Sequence, residues 1–244
     1  VDEEIVRAPM KIGENTKTAI TVNMMIKSAM EGNAVTYIPA ETGPESIVKR
    51  AIAIYGNLPV NAMRHPSKHL NAMQMDTYKK TIAALKKLPL HIEELHDIRE
   101  IRQLARERTR ALPNKKHLFI IDHLGHLSDG KVYQSRNLEF EEYCKALKAI
   151  AKDYNIALIL LSQLSRGVEQ RPDKRPMNSD LRDSGAIEQI ADVITFLYRE
   201  NYYLPDDKKH VDDVIEFIIS KNRDGGTGTK KLRFLPNTNR VVEL

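Results

Sequence analysis

Lys17 and Thr18 are the first residues of this chain with an evident chemical use. They close the segment KIGENTKT, residues 11–18, which separates an apolar strand pattern from a helical one. A loop so placed aims backbone N–H groups and a helix N-terminus at an anion, and a neighbouring lysine completes a phosphate cradle. Lys17 would reach the outer phosphates of a nucleotide, while the Thr18 hydroxyl would face Mg²⁺. The usual spacing G-x-x-x-x-G-K-[ST] is broken, because Lys11 and Thr16 stand in the two glycine positions. A second register sets Ala8 and Gly13 there, with Glu14 in the lysine position and Asn15 in the hydroxyl position. That register would repel phosphate. The first keeps the cation and is preferred, with Gly13, Glu14, Asn15, Thr16, Lys17 and Thr18 as the nucleotide-binding candidates. Lys17 is expected to be an exposed lysine until phosphate arrives.

Other candidates stand at the ends of apolar runs. His117–Asp122, HLFIID, closes four apolar residues on an acid, a Walker-B-like pattern in which Asp122 would help to hold Mg²⁺. The run Tyr37-Ile38-Pro39-Ala40 ends on Glu41, and Ile156–Leu161 ends on Ser162-Gln163. The ligand crevice of an open α/β sheet lies at the carboxyl ends of its strands, so a carboxylate or amide there is well placed. A polar, proline-broken loop follows Gln163 and carries Arg166, Arg171, Lys174, Arg175 and Arg182. Arg171 and Lys174, taken singly, read as solvated. Lys221 and Arg223 alternate along a strand pattern, so they share a face, and Gly225-Gly226 turn the chain just after them.

The elements that must position these residues are legible from periodicity. Strand patterns recur at 4–8, 34–40, 88–92, 117–122, 156–163, 191–198 and 214–220. Helical patterns occupy 17–30, 45–55, 75–87, 97–111 and 138–154. Strands alternating with helices predict a mostly parallel, twisted sheet with helices on both faces. The pattern then changes to strand-turn-strand over 214–220, 230–235 and 241–244, which predicts an antiparallel edge. Residues 57–71, with Pro59 and Pro66, form a poorly patterned connection. The whole reads as one α/β domain over residues 1–244.

The run LSQL…KRP…SDLRDSGAIEQIAD, from Leu161 to Asp192, resembles the DnaB-type replicative helicases of bacteria and phages. The resemblance extends from about Ile5 to Leu244. It implies a RecA-like P-loop ATPase core that uses ATP and Mg²⁺ and works as a homo-hexamer on single-stranded DNA. Under it, Glu41 polarises the attacking water and Gln163 senses the γ-phosphate. Arg182, Asp183 and Gly185 hold the DNA backbone. Lys221 and Arg223 reach as catalytic cations into the neighbouring subunit's ATP site. The resemblance covers neither the family's helical N-terminal collar nor its linker, so the chain is expected to be a motor fragment or a shortened relative. Primase and a helicase loader are expected to bind through those regions, in the cytoplasm at the replication fork. The altered phosphate loop leaves an alternative, a nucleotide-inert or weakly hydrolysing relative that binds DNA and forms rings.

Composition agrees without deciding. The chain has 244 residues, 41% hydrophobic and 29% charged, with a net charge of +5. That balance suits a globular fold and is compatible with a polyanionic partner. No apolar run is long enough to span a bilayer. The single cysteine, Cys144, excludes an intrachain disulfide and a multi-cysteine metal site. His123 and His126 read as loop or packing histidines. His65 and His69 stand four apart, but Pro66 argues against one helix presenting both, and no zinc site is expected. The arginine-rich helix 97–111 should bury Ile98, Ile101, Leu104 and Ala105 and leave its cations in water.

Overall fold

The computed structural model describes residues 6–9, 14–40, 42–181 and 185–244. Its strands are β1 (Val6–Pro9), β2 (Ala34–Pro39), β3 (Leu90–Ile92), β4 (His117–Asp122), β5 (Ile156–Ser162), β6 (Val193–Arg199), β7 (Val214–Asn222), β8 (Gly228–Leu235) and β9 (Arg240–Glu243). Its helices are α1 (Glu14–Met30), α2 (Pro44–Gly56), α3 (Pro66–His69), α4 (Ala72–Leu85), α5 (Ile98–Ala111), α6 (Arg136–Asp153) and α7 (Gly185–Ile190).

The described strands form one sheet in the order β3-β2-β4-β5-β1-β6-β7-β8-β9. The pairs from β3 to β6 are parallel, and β6 to β9 pair antiparallel. The fold is therefore the expected α/β class with an antiparallel carboxyl-terminal edge. Residue alternation explains why helices cover both faces. Phe119, Ile121, Leu158 and Leu160 point to one side, where they meet Ile101 and Ala105 of α5, Cys144, Leu147 and Ile150 of α6, and Ile187 of α7. Ile120, Ile159 and Leu161 point to the other, against Ile20, Val22 and Met25 of α1 and Ile47 and Ala51 of α2. Each such large apolar side chain contributes roughly 1.5–3 kcal/mol on burial.

Local chemistry sets the helix ends. Pro44 opens α2, because a first-turn residue needs no N–H donor. Asn71 and Gln74 form a capping box that starts α4. Residues 57–71 depart from the expected open connection: a 3₁₀ turn at Val60–Arg64 and the short α3 fill it. Leu58, Ala62 and Met63 pack there on Ile52 and Ala53 of α2, a small core that sequence periodicity does not reveal. Pro66 starts α3 rather than breaking it, and the His65 and His69 rings stand 6.4 Å apart. Among the described residues no group of three or more His, Cys, Asp or Glu could hold a metal ion. Nor is any described helix long and apolar enough to cross a membrane.

Candidate functional site

The carboxyl ends of β1, β4 and β5 lie side by side, with β2 beyond β4. Parallel pairing brings four separate stretches of sequence to one end of the sheet: the start of α1, Asp122 at the end of β4, Gln163 after β5, and the end of β2. Helix α1 begins at Glu14, three residues earlier than its periodicity suggests, so Thr16, Lys17 and Thr18 belong to its first turns. Gly13 and Glu41 lie outside the described residues, as do the side chains of Glu14 and Asn15.

Thr18 Oγ1 donates to Asp122 Oδ2 at 3.3 Å, joining the start of α1 to the end of β4. Tyr37 OH donates to the same oxygen at 3.2 Å and lies 3.1 Å from Thr21 Oγ1. The whole group is buried: Thr18 is 4% exposed and Asp122 2%. Burial pushes the Asp122 carboxyl above its usual range, while Lys17, the Tyr37 and Thr18 hydroxyls and Arg50 all pull it down. Burial also lowers Arg50, against the favourable charge of Asp122 and the pull of Tyr37. Lys17 is not the exposed lysine the sequence suggested. It is 3% exposed, its charge held near Asp122 before any phosphate is present.

Thr16 explains part of the broken loop pattern. Its side chain is buried and accepts from Arg199 Nη1 at 3.3 Å. Arg199, at the end of β6, is fixed by two bonds to Asp213 at 2.8 and 2.5 Å and lies over the Phe234 ring. Beside them is a cavity of about 380 Å³ that Lys49, Arg50, Arg64 and Arg199 make strongly cationic. A cation-lined cavity touching Thr16 suits the remainder of a phosphate-bearing ligand. Arg50, Arg199 and Tyr37 are not singled out by the sequence, because only the packing of α2, β2 and β6 around the start of α1 brings them here.

Gln163 sits beside the same carboxylate end. Its amide Nε2 is 3.2 Å from Nε2 of His123, the residue after Asp122. His123 is 7% exposed, accepts from the Gly125 N–H at 2.8 Å and packs edge-on to His126. Desolvation first, then His126, Lys17 and Arg136, lower its imidazole to about 4. The packing role expected for His123 is thus joined by a contact with a candidate site residue.

The basic loop after Gln163 is less free than expected. Leu164 bridges to Leu181, and Ser165 N–H donates to the Asp180 carbonyl, closing the loop at its base. Arg171 makes two bonds to the buried Asp180, at 2.9 and 2.7 Å, so it is not a solvated cation. Arg175 makes two to Glu216 and lies over the Tyr198 ring, and Lys174 lies over Tyr203. Of the DNA-binding candidates, Arg182 and Asp183 fall outside the described residues, and Gly185 opens α7.

Lys221 and Arg223 are nowhere near Lys17. Register places Asn222 opposite Val193, at the start of β6, whereas Arg199 and Thr16 meet at its end. Seven residues of strand separate the two ends by about 20 Å. Lys221 Nζ donates to the Glu188 carbonyl at 2.6 Å, and Arg223 Nη1 donates to Asp192 Oδ1 at 3.0 Å.

Residues 10–243 match the family described as DnaB-like helicase C terminal domain. The chain belongs to that family. It is 36% identical over 242 residues to the replicative DNA helicase DnaC of Bacillus subtilis (strain 168), covering 98% of this chain and 52% of that protein. It is 34% identical over 242 residues to the replicative DNA helicase DnaB of Geobacillus stearothermophilus, with the same coverage. The chain thus spans about half the length of these relatives. A solved DnaB-like replicative helicase, described together with its interactions with primase, aligns at a TM-score of 0.93 and 31% identity. That alignment covers 99% of this chain and 59% of the other. A solved ATPase domain aligns at 0.90 and 31%, covering 98% and 83%. As a member of the DnaB-like helicase C-terminal domain family, the chain carries the RecA-like fold that the resemblance implied.

Proposed function

We propose that this chain is the ATP-hydrolysing motor of a replicative DNA helicase, coupling hydrolysis to translocation on single-stranded DNA and duplex unwinding within a hexameric ring. The contact between Thr18 and Asp122, beside the buried Lys17, carries this reading. A hydroxyl and a carboxylate are hard oxygen donors, and their placement at a strand end beside a lysine fits Mg²⁺ held with a nucleotide's phosphates. When bound, Mg²⁺ supplies positive charge that offsets the charge developing on the phosphate oxygens.

The chain's own residues divide the remaining work. Lys17 neutralises the outer phosphates, and Glu41 polarises the water that attacks in line. Gln163 meets the γ-phosphate and relays its loss to the loop that begins beside it. Gly13, Glu14, Asn15 and Thr16 complete the cradle, and the cationic cavity beside Thr16 takes the rest of the nucleotide. Arg182, Asp183 and Gly185 hold the DNA backbone through phosphate contacts that carry no sequence information. Lys221 and Arg223 act in the neighbouring subunit's site. Their distance from Lys17, at the far end of β6, supports this, because no side chain spans 20 Å. One continuous sheet supports reading residues 1–244 as one motor unit. Primase and a loader are the expected protein partners, at the replication fork in the cytoplasm.

Thr16 favours a second reading. A side chain replaces the glycine at a point of close phosphate approach, and Arg199 binds its hydroxyl. A weakly hydrolysing or nucleotide-inert, ring-forming DNA-binding protein would keep the fold with this loop. Titration of fluorescent ATP against the chain, with and without Mg²⁺, separates the two. Mg²⁺-dependent binding with turnover on single-stranded DNA supports the motor; absent binding refutes it.

A further inference from the structure

We propose that His123 is a positioning residue that holds the Gln163 amide and so ties the end of β5 to the Asp122 end of β4. The inference rests on the motor reading for its consequence, but on geometry for its substance. His123 Nδ1 accepts the Gly125 N–H at 2.8 Å, which fixes Nδ1 as the unprotonated nitrogen. The proton of the neutral ring is then on Nε2. That nitrogen faces the Gln163 amide at 3.2 Å. Two N–H groups cannot satisfy each other, so a half-turn of the amide presents its isosteric Oε1 to the ring. The amide N–H₂ is thereby directed away from His123, free to meet an acceptor such as a phosphate oxygen.

The ring is itself held from several sides. His126 packs edge-on at 4.6 Å, and Arg136, stacked on Phe140, donates to the Gly125 carbonyl at 2.8 Å. These residues line a cavity of about 270 Å³ with Ser162 and Gln163. A held ring facing a cavity gives the amide one preferred orientation. The signal from a phosphate contact at Gln163 would then be read against a fixed point beside Asp122.

Two measurements test this. In the ligand-free chain, ¹⁵N spectra of the histidine rings should show His123 protonated on Nε2, and Gln163→Ala should move that resonance. An Nδ1-protonated ring, or no response to Gln163→Ala, overturns the inference whether or not the chain hydrolyses ATP. For turnover on single-stranded DNA, His123→Phe should lower kcat roughly 5- to 10-fold, the loss of one hydrogen bond, with KM for ATP nearly unchanged. His123→Gln, whose amide N–H reaches where Nε2 stands, should recover most of it. His123→Phe added to Gln163→Ala should cost nothing further. Additive losses, or no rescue by His123→Gln, assign the ring a merely structural role. If the unmodified chain hydrolyses no ATP, the motor reading fails, and the ring resonances alone decide the contact.

Discussion

Arg223 Nη1 donates to Asp192 Oδ1 at 3.0 Å, and the other carboxylate oxygen of Asp192 takes Lys148. Asp192 is buried, whereas the Arg223 side chain is 57% exposed. The guanidinium is therefore held through one of its terminal nitrogens while the side chain stays more than half exposed, about one strand length from its own phosphate loop. That separation is why we propose that Arg223 serves a neighbouring copy and not its own subunit.

Hydrolysis should accordingly rise faster than linearly with protein concentration. Arg223→Ala should bind ATP nearly normally yet lose turnover by roughly 10³-fold or more, as for trans-acting arginines in other nucleotidases. Mixed with Lys17→Ala, it should recover some activity, since one subunit brings the phosphate loop and the other the arginine. An inactive mixture, with assembly confirmed by light scattering, would sink the trans role.

Lys17→Ala should abolish hydrolysis. Because Lys17 is buried beside Asp122, it should also raise the Asp122 carboxyl further and shift the melting temperature. Undiminished turnover would show that Lys17 is not the phosphate lysine.

Glu41→Gln should separate binding from chemistry. It keeps size and hydrogen-bonding reach, so ATP affinity should persist while turnover falls roughly 10²-fold or more. Parallel loss of both would give Glu41 a metal-holding or structural role.

Acid should act through His123 and Asp122. The His123 imidazole is lowered from 6.5 to about 4, so the unfolded chain binds the extra proton first. Its stability contribution is complete above pH 6.5 and is lost as pH falls towards 4, roughly 3 kcal/mol at most. Urea denaturation from pH 7 to 4 should show that loss, and His123→Phe should flatten it. Asp122 is raised, chiefly by burial, so its ionised form is the one disfavoured in the folded chain. Mg²⁺-dependent nucleotide binding should therefore fail on the acid side at a higher pH than an ordinary carboxylate would set.

Two arginines of the same loop should behave differently. Arg171→Ala strips a buried carboxylate of a paired cation and should cost about 2 kcal/mol in stability by denaturation. Arg182→Ala should leave stability nearly unchanged and flatten the salt dependence of single-stranded DNA binding by about 0.7 in slope. The reverse pattern would exchange their roles.

Much of this was legible in the sequence, for a physical reason. Continuous apolar runs mark β4 and β5 because both faces of a parallel strand must be covered, and polar residues can stand only where the strand leaves the core. That placed Asp122 and Gln163 at strand ends without any coordinates. The Gly225-Gly226 turn likewise announced the antiparallel edge. What periodicity cannot carry is distance between segments remote in sequence. Only the strand order sets Thr18 against Asp122, Arg199 against Thr16 and His123 against Gln163. Burial was likewise undecidable residue by residue. Lys17 is a typical surface type, yet it is enclosed beside Asp122. Arg171 looked solvated because its partner Asp180, nine residues on, meets it only when the loop closes. Residue types and spacing determined which chemistry was available; the packing of helices on the sheet decided which groups meet, and which charges are held before any ligand binds.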